Sequence, residues 1–159
     1  MPLQSSQINI ALTSQENVVT GGSTDTHQGN LYSNLPPLTP GTGPNSAQKV
    51  ANLSIALTTS PVVLDLTALA GGIAGAAINF SLIKQVVLQN SGTTAASLTL
   101  GANPATNLFP GAASFGPGAM LARAEQQNGM VVDATHKTVT LAAAANTTIV
   151  NLIVVGEGV

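Results

Sequence analysis

Cysteine and tryptophan are absent from this 159-residue chain, and charge is scarce: Asp, Glu, Lys and Arg together make up 6% of it. An ordinary soluble domain carries roughly 25%. The lack of cysteine excludes a disulfide scaffold and thiolate metal sites, and says nothing of redox compartment. Aromatics are 3%, with one Tyr and three Phe, so the stacking platforms that glycan and nucleic-acid sites commonly use are missing. The four basic residues, Lys49, Lys84, Arg123 and Lys137, lie far apart. A nucleic-acid footprint needs such residues clustered, so no direct nucleic-acid partner is expected. The first residues, MPLQSSQINIALTSQ, have neither a basic n-region nor an apolar h-region and are not read as a signal peptide. The apolar window from Pro61 to Phe80 holds the small-xxx-small pair Gly71 and Gly75. Its Asp65, Thr67, Asn79 and glycines, and its marginal length, argue against a membrane span.

What remains is Ala, Thr, Leu, Val, Asn, Gly and Ser, with 44% of the chain hydrophobic. Such a surface is uncharged and partly apolar, a poor one for a free monomer and a good one for burial against neighbouring subunits. The length allows one domain with a proper core and some chain to spare.

The organising stretch is Phe80–Gly101, FSLIKQVVLQNSGTTAASLTLG. Leu82, Ile83, Val86, Val87 and Leu88 are too dense for strict alternation. That density predicts a central strand covered on both faces for part of its length. Asn90–Thr93 supplies turn residues, with Gly92 free to take positive φ, and Leu98 to Leu100 alternates again. The stretch therefore reads as a hairpin.

Before Val50 the texture differs. Gln7–Leu12 reads as a short strand, and the Pro- and Gly-rich run from His27 to Pro44 can sustain neither a helix nor a central strand. Residues 1–49 are read as an extended polar arm, with Leu31, Tyr32, Leu35 and Leu38 as candidate contacts to a neighbouring subunit; a solvated tail is the alternative. Residues 50–159 read as the folded domain. Leu53, Ile55 and Leu57 alternate as a half-buried strand, and Val62–Leu66 forms the next. Thr67–Ala77 reads as a loop, with one helical turn at Leu66–Ala70. Phe109 and Phe115 sit in a Pro/Gly/Ala loop and would plug one end of a sandwich. Ala119–Ala124 is a short strand or turn, and Asn128-Gly129 is a type I′ signal. Strands at Met130–Val132, Thr138–Leu141 and Asn146–Val155 complete an all-β pattern of seven or eight strands, the spacing of a β-sandwich or jelly-roll-like domain.

Motifs for chemistry are sparse. Asp133 and His136 share one turn, but a triad is a matter of geometry, and the preferred reading is that Asp133 orders its own turn through an Asx bond with His136 solvated. Asp25 and His27 are two metal donors where three or four are needed. The glycine clusters at 41–43 and 71–75 lack the residues that complete a phosphate loop. Three Asn-x-Ser/Thr triplets, at Asn52, Asn79 and Asn146, are expected by chance in a chain of this composition. Asp65 lies among apolar neighbours; inside, it requires a cationic partner, and Lys84 is a candidate for a buried or interfacial ion pair. No catalytic residue, metal site, cofactor or small-molecule substrate is expected.

The segments Leu64–Leu69 (LDLTAL), Asn79–Lys84 (NFSLIK), Val87–Asn90 (VLQN) leading into Leu98–Gly101 (LTLG), Pro117-Gly118, Val132–Thr135 (VDAT) and Ile153–Gly156 (IVVG) resemble small structural proteins of tailed bacteriophages. The resemblance is greatest to head decoration, or cement, proteins and covers about Asn52 to Gly156. It implies a β-sandwich or jelly roll that oligomerises as a dimer or trimer on a capsid, with terminal arms on adjacent subunits. The partners expected from it are the major capsid protein and further copies of the chain, at the virion surface. Other virion roles (coat subunit, tail, neck or fibre base) and a receptor- or glycan-binding β-module are the alternatives.

Overall fold

The computed structural model describes residues 9–20, 23–34, 38–70, 77–99, 101–106, 108–109, 111–145 and 147–158, the first two ranges as backbone. Within them the chain is all-β and has no helix. In chain order the strands are β1 (Asn9–Thr20), β2 (Ser23–Asn34), β3 (Thr39–Pro40), β4 (Ser46–Ala47), β5 (Lys49–Leu57), β6 (Val62–Asp65) and β7 (Phe80–Asn90). There follow β8 (Ala96–Thr99), β9 (Ala113–Phe115), β10 (Met120–Ala124), β11 (Met130–Val131), β12 (Thr138–Ala143) and β13 (Thr148–Gly158).

Two antiparallel sheets hold the core. One runs β10–β7–β13–β5, with β11 following β10 along the same edge of β7; the other runs β6–β12–β8–β9. From β5 to β13 the chain moves back and forth between them, staying in one sheet only from β8 to β9 and from β10 to β11. The apolar sides of both sheets meet in a single cluster that includes Leu57, Val86, Leu88, Leu98, Leu141, Val150 and Leu152. Burial at roughly 25 cal/mol per Å² of apolar surface is the main force joining two sheets that share no ladder.

β7 is the central strand that its density of apolar residues predicts. It lies between β13 on one side and β10 and β11 on the other, and Ile83 to Val86 are buried without a break. The second half of Phe80–Gly101 corrects the hairpin reading, because β8 pairs with β12 and β9 in the other sheet. The residues between are a corner, and Asn90 holds it. Its side chain, fully buried, donates to the carbonyls of Thr94 (2.8 Å) and Phe115 (3.1 Å). Its Oδ1 accepts from the Gly92 N–H (3.0 Å) and the Thr148 hydroxyl (3.2 Å). Gly92 does not have positive φ; it is glycine because a Cβ would strike the Thr148 hydroxyl and lie 2.7 Å from the Ile149 nitrogen.

Residues 9–20 and 23–34 are strands. β1 and β2 pair in register along twelve residues each, from Asn9↔Asn34 to Thr20↔Ser23. Within residues 38–49, Leu38 and Ala47 are buried against Val155 of β13. The Gln48 N–H donates to Gly156 O at 2.9 Å, and the Asn45 N–H to Gln126 O at 3.0 Å. This stretch is part of the packed body.

Other turns differ in detail from the sequence reading. Asn128-Gly129 is not a type I′ hairpin: only Gly129 has positive φ, and its N–H reaches back to Glu125 O at 3.0 Å. Glu125–Gly129 is instead an excursion in a strand line that continues along β7, from Ala124↔Gln85 to Met130↔Ile83. At Leu66–Ala70 a single turn, Ala68 N–H to Asp65 O (3.1 Å), stands in place of a helical turn, and Leu69 then pairs with Ile78. Phe109 and Phe115 are both buried in the shared core, Phe115 from β9 rather than from a loop.

Candidate functional site

Among the described residues, three places gather charged side chains or leave a group of apolar ones open to solvent. The first is built around Lys84, which is 1% exposed. Lys84 has no Cα partner on either neighbouring strand. On one side β13 pairs Val155 with Gln85 and Gly156 with Ile83, a bulge; on the other, the Glu125–Gly129 excursion lies opposite it. The bulge turns the side chain out of the regular alternation and toward Glu157, with Nζ 3.2 Å from Oε1. Nζ also donates to Gln127 O at 3.3 Å, and Glu157 Oε1 accepts the Gly43 N–H at 3.0 Å. Gly43 sits at φ 103°, a conformation that glycine adopts without strain. The pair therefore ties together β7, the end of β13, the Glu125–Gly129 excursion and the turn before β4. Lys84 Nζ and Glu157 Oε1 are engaged by each other and by backbone groups, which suits a fastening.

The second place is a pair of Asp-x-Thr turns. Asp65 Oδ1 accepts the Thr67 N–H (2.9 Å) and hydroxyl (2.6 Å), and its Oδ2 lies 3.0 Å from Lys137 Nζ. The Thr67 hydroxyl is the main reason that Asp65 titrates below the usual carboxylate range; burial opposes the shift, and the Thr67 N–H and Lys137 add to it. Asp65 thus pairs with Lys137 beside it on the β6–β12 ladder, where Asp65 faces Thr138, and not with Lys84.

Asp133 repeats the arrangement in the open. Its Oδ1 accepts the Thr135 N–H (2.7 Å), the Thr135 hydroxyl (2.8 Å) and the His136 N–H (2.8 Å). His136 offers the same ring nitrogen, Nδ1, to Asp133 Oδ1 (3.1 Å) and to the Thr135 oxygen (3.0 Å). A triad places the carboxylate and the nucleophile on opposite ring nitrogens, so this turn lacks that geometry. The Thr135 hydroxyl and N–H, with a smaller contribution from His136, lower the Asp133 carboxyl from 3.8 to about 2. A depressed carboxyl adds stability above its unfolded value, and that contribution is lost as pH falls through about 2. A carboxyl-resolved NMR titration of the intact chain is expected to give Asp133 a midpoint near 2, and Thr135→Val is expected to move it toward the ordinary value. An unchanged midpoint in the variant would remove the hydroxyl as the cause.

The third place is the outer face of the β10–β7–β13–β5 sheet. Register sets Val50, Asn52, Ser54 and Ala56 beside Val155, Ile153, Asn151 and Ile149, and these beside Gln85, Val87 and Gln89. Met120, Ala122 and Ala124 complete the face. None of these positions carries a charge. Leu38 and Ala47 cover Val155, while Val50, Met120, Ile149 and Ile153 remain 38–48% exposed.

Of the candidate arm contacts, Leu38 is a core residue here. Leu31 and Tyr32 are placed by register alone, opposite Leu12 and Ala11, and Leu35 lies outside the described residues. Asp25 and His27 lie on β2 opposite Val18 and Glu16. Among the described residues no three His, Asp or Glu side chains gather as metal ligands, and no helix is long and apolar enough to cross a membrane. A small cleft lined by Leu98, Pro104, Phe109, Thr138 and Val139 among others has no titratable side chain in its wall. Sequence reasoning passed over Glu157 because a single acid near the C-terminus has no spacing signal; only the β13 register brings it to Lys84. No protein-family model, curated protein or solved structure matches the chain.

Proposed function

We propose that this chain is a virion structural protein that decorates a phage capsid and stabilises it by bridging capsid subunits. In this reading the two sheets form a β-sandwich of jelly-roll type and the β1–β2 hairpin is an arm that reaches a neighbouring subunit. The observation that carries it is the uncharged outer face of the β10–β7–β13–β5 sheet, with Val50, Met120, Ile149 and Ile153 open to solvent. An uncharged face with exposed apolar side chains gains free energy when those side chains are covered and has no ion to desolvate, which suits permanent assembly. Repeated by symmetry, weak contacts of this kind add up to a strong brace. The alternation of the strands between two sheets supports the sandwich, and the burial of Leu38 shortens the proposed arm to the residues before it.

The test is co-sedimentation with capsids stripped of their accessory proteins, using the full-length chain and a chain lacking residues 1–34. Full-length protein is expected to bind the shells and raise their melting temperature, and the shortened chain to bind more weakly. A soluble protein that leaves the shells unbound and their melting unchanged would overturn the proposal.

A further inference from the structure

The sheet edges of this protein are unequal. The β10–β11 edge is interrupted by the Glu125–Gly129 excursion and carries Arg123. β6 is four residues long, follows Pro61 and ends at Asp65, and β9 has three residues. Short strands, charges, prolines and bulges are the usual devices that keep a sheet edge from recruiting another strand. β5 has one of them, and only at its first position, Lys49. The strand is nine residues long, pairs with β13 without a register shift, and carries no charge or proline from Val50 to Leu57. Among the described residues no strand pairs with its outer side.

We propose that β5 is a self-association edge, which pairs antiparallel with β5 of a second copy across a two-fold axis at Leu53 and so joins the two β10–β7–β13–β5 sheets into one. This register is the one that matches the strand end to end. It sets Lys49 opposite the partner's Leu57 and keeps the two lysines apart by the length of the strand, ~27 Å at the usual rise per residue. A parallel arrangement would set them side by side. On the core side, Leu53 and Ile55 pack against the core yet remain only partly buried. In the dimer Leu53 meets its own symmetry mate and Ile55 meets Ala51, so the edge of the core is sealed. On the outer side Asn52 faces the partner's Ser54 twice. The uncharged face then runs unbroken across both copies. An isologous contact of this kind closes at two and does not propagate.

The inference rests on the self-assembly part of the function proposed above and gives it a location. Its test is sedimentation equilibrium of the full chain. The wild-type protein is expected to be a concentration-dependent dimer. Asn52→Lys with Ser54→Lys, both at exposed positions, sets like charges opposite each other twice and is expected to weaken the dimer about tenfold or more. Asn52→Lys with Ser54→Asp sets opposite charges across the same axis and is expected to restore it. A wild-type monomer, a dimer indifferent to the double lysine variant, or a loss that the lysine–aspartate variant fails to restore would each overturn the self-pairing; the last would point to another strand, such as β1 or β2, as occupant of the edge. Shell binding is read separately: a chain that co-sediments with capsids while monomeric in solution overturns this inference and leaves the earlier proposal standing.

Discussion

Glu157→Ala is expected to destabilise the protein by about 3–5 kcal/mol, the usual cost of removing one partner of a buried ion pair. Lys84 would be left at 1% exposure, with Gln127 O as the remaining acceptor at 3.3 Å. The Gly43 N–H would lose its acceptor as well. Lys84→Met is expected to cost a similar amount, since Glu157 would then be held by the Gly43 N–H without a cation. The double variant, Lys84→Met with Glu157→Leu, is expected to recover much of the loss, because a well-packed apolar pair removes both desolvation terms. Urea unfolding of the four proteins forms the cycle. Additive losses with no recovery would show that the two side chains do not act as a pair. The turn before β4 reports independently: amide exchange at Gly43 should accelerate in Glu157→Ala before global unfolding does.

Asn90→Ala is expected to lower stability by about 3 kcal/mol or more, on the basis of about 1–3 kcal/mol for each buried polar group left without a partner. The substitution takes the side-chain partner from the Phe115 carbonyl and the Gly92 N–H, and leaves the Thr94 carbonyl and the Thr148 hydroxyl with only their mutual bond of 3.1 Å. Asn90→Asp separates the two halves of the role. A carboxylate still accepts from Gly92 and Thr148 but cannot donate, and it faces two carbonyl oxygens, so near neutral pH it is expected to be no better than alanine. Below the carboxyl's pKa a proton supplies one donor, and the gap between Asn90→Asp and the wild type should narrow on acidification. Thermal unfolding of the three proteins at two pH values checks both points. A loss under 1 kcal/mol for Asn90→Ala would mean that water replaces the side chain and that Asn90 does not hold the corner.

Much of the local structure was legible in the sequence because it follows from period and density. The alternation of Leu53, Ile55 and Leu57 reads as the half-buried β5, and the packed apolar run in Phe80–Asn90 reads as a central strand. Asp133 could be seen to order its own turn, since Asx bonding is a contact between residues two or three apart. The β1–β2 hairpin was missed although Gly21-Gly22, a two-residue hairpin signal, lies between Thr20 and Ser23.

Composition and period by themselves determined that the chain is all-β, that it is poor in charge, and which strand is most enclosed. Those properties are local, set by side-chain volume, branching and polarity over a few residues. Tertiary structure alone decided which strands are neighbours. β7 and β8 are consecutive yet lie in different sheets, because burial of both apolar sides against each other outweighs the pairing that a short turn would permit. It also decided the charge partners. Asp65 goes to Lys137, and Lys84 to Glu157, 73 residues away in sequence and 3.2 Å away in space. No spacing rule reaches that far: the contact exists because a bulge in β7 leaves one residue without a place in the ladder, and the chain's end supplies the acid that it meets.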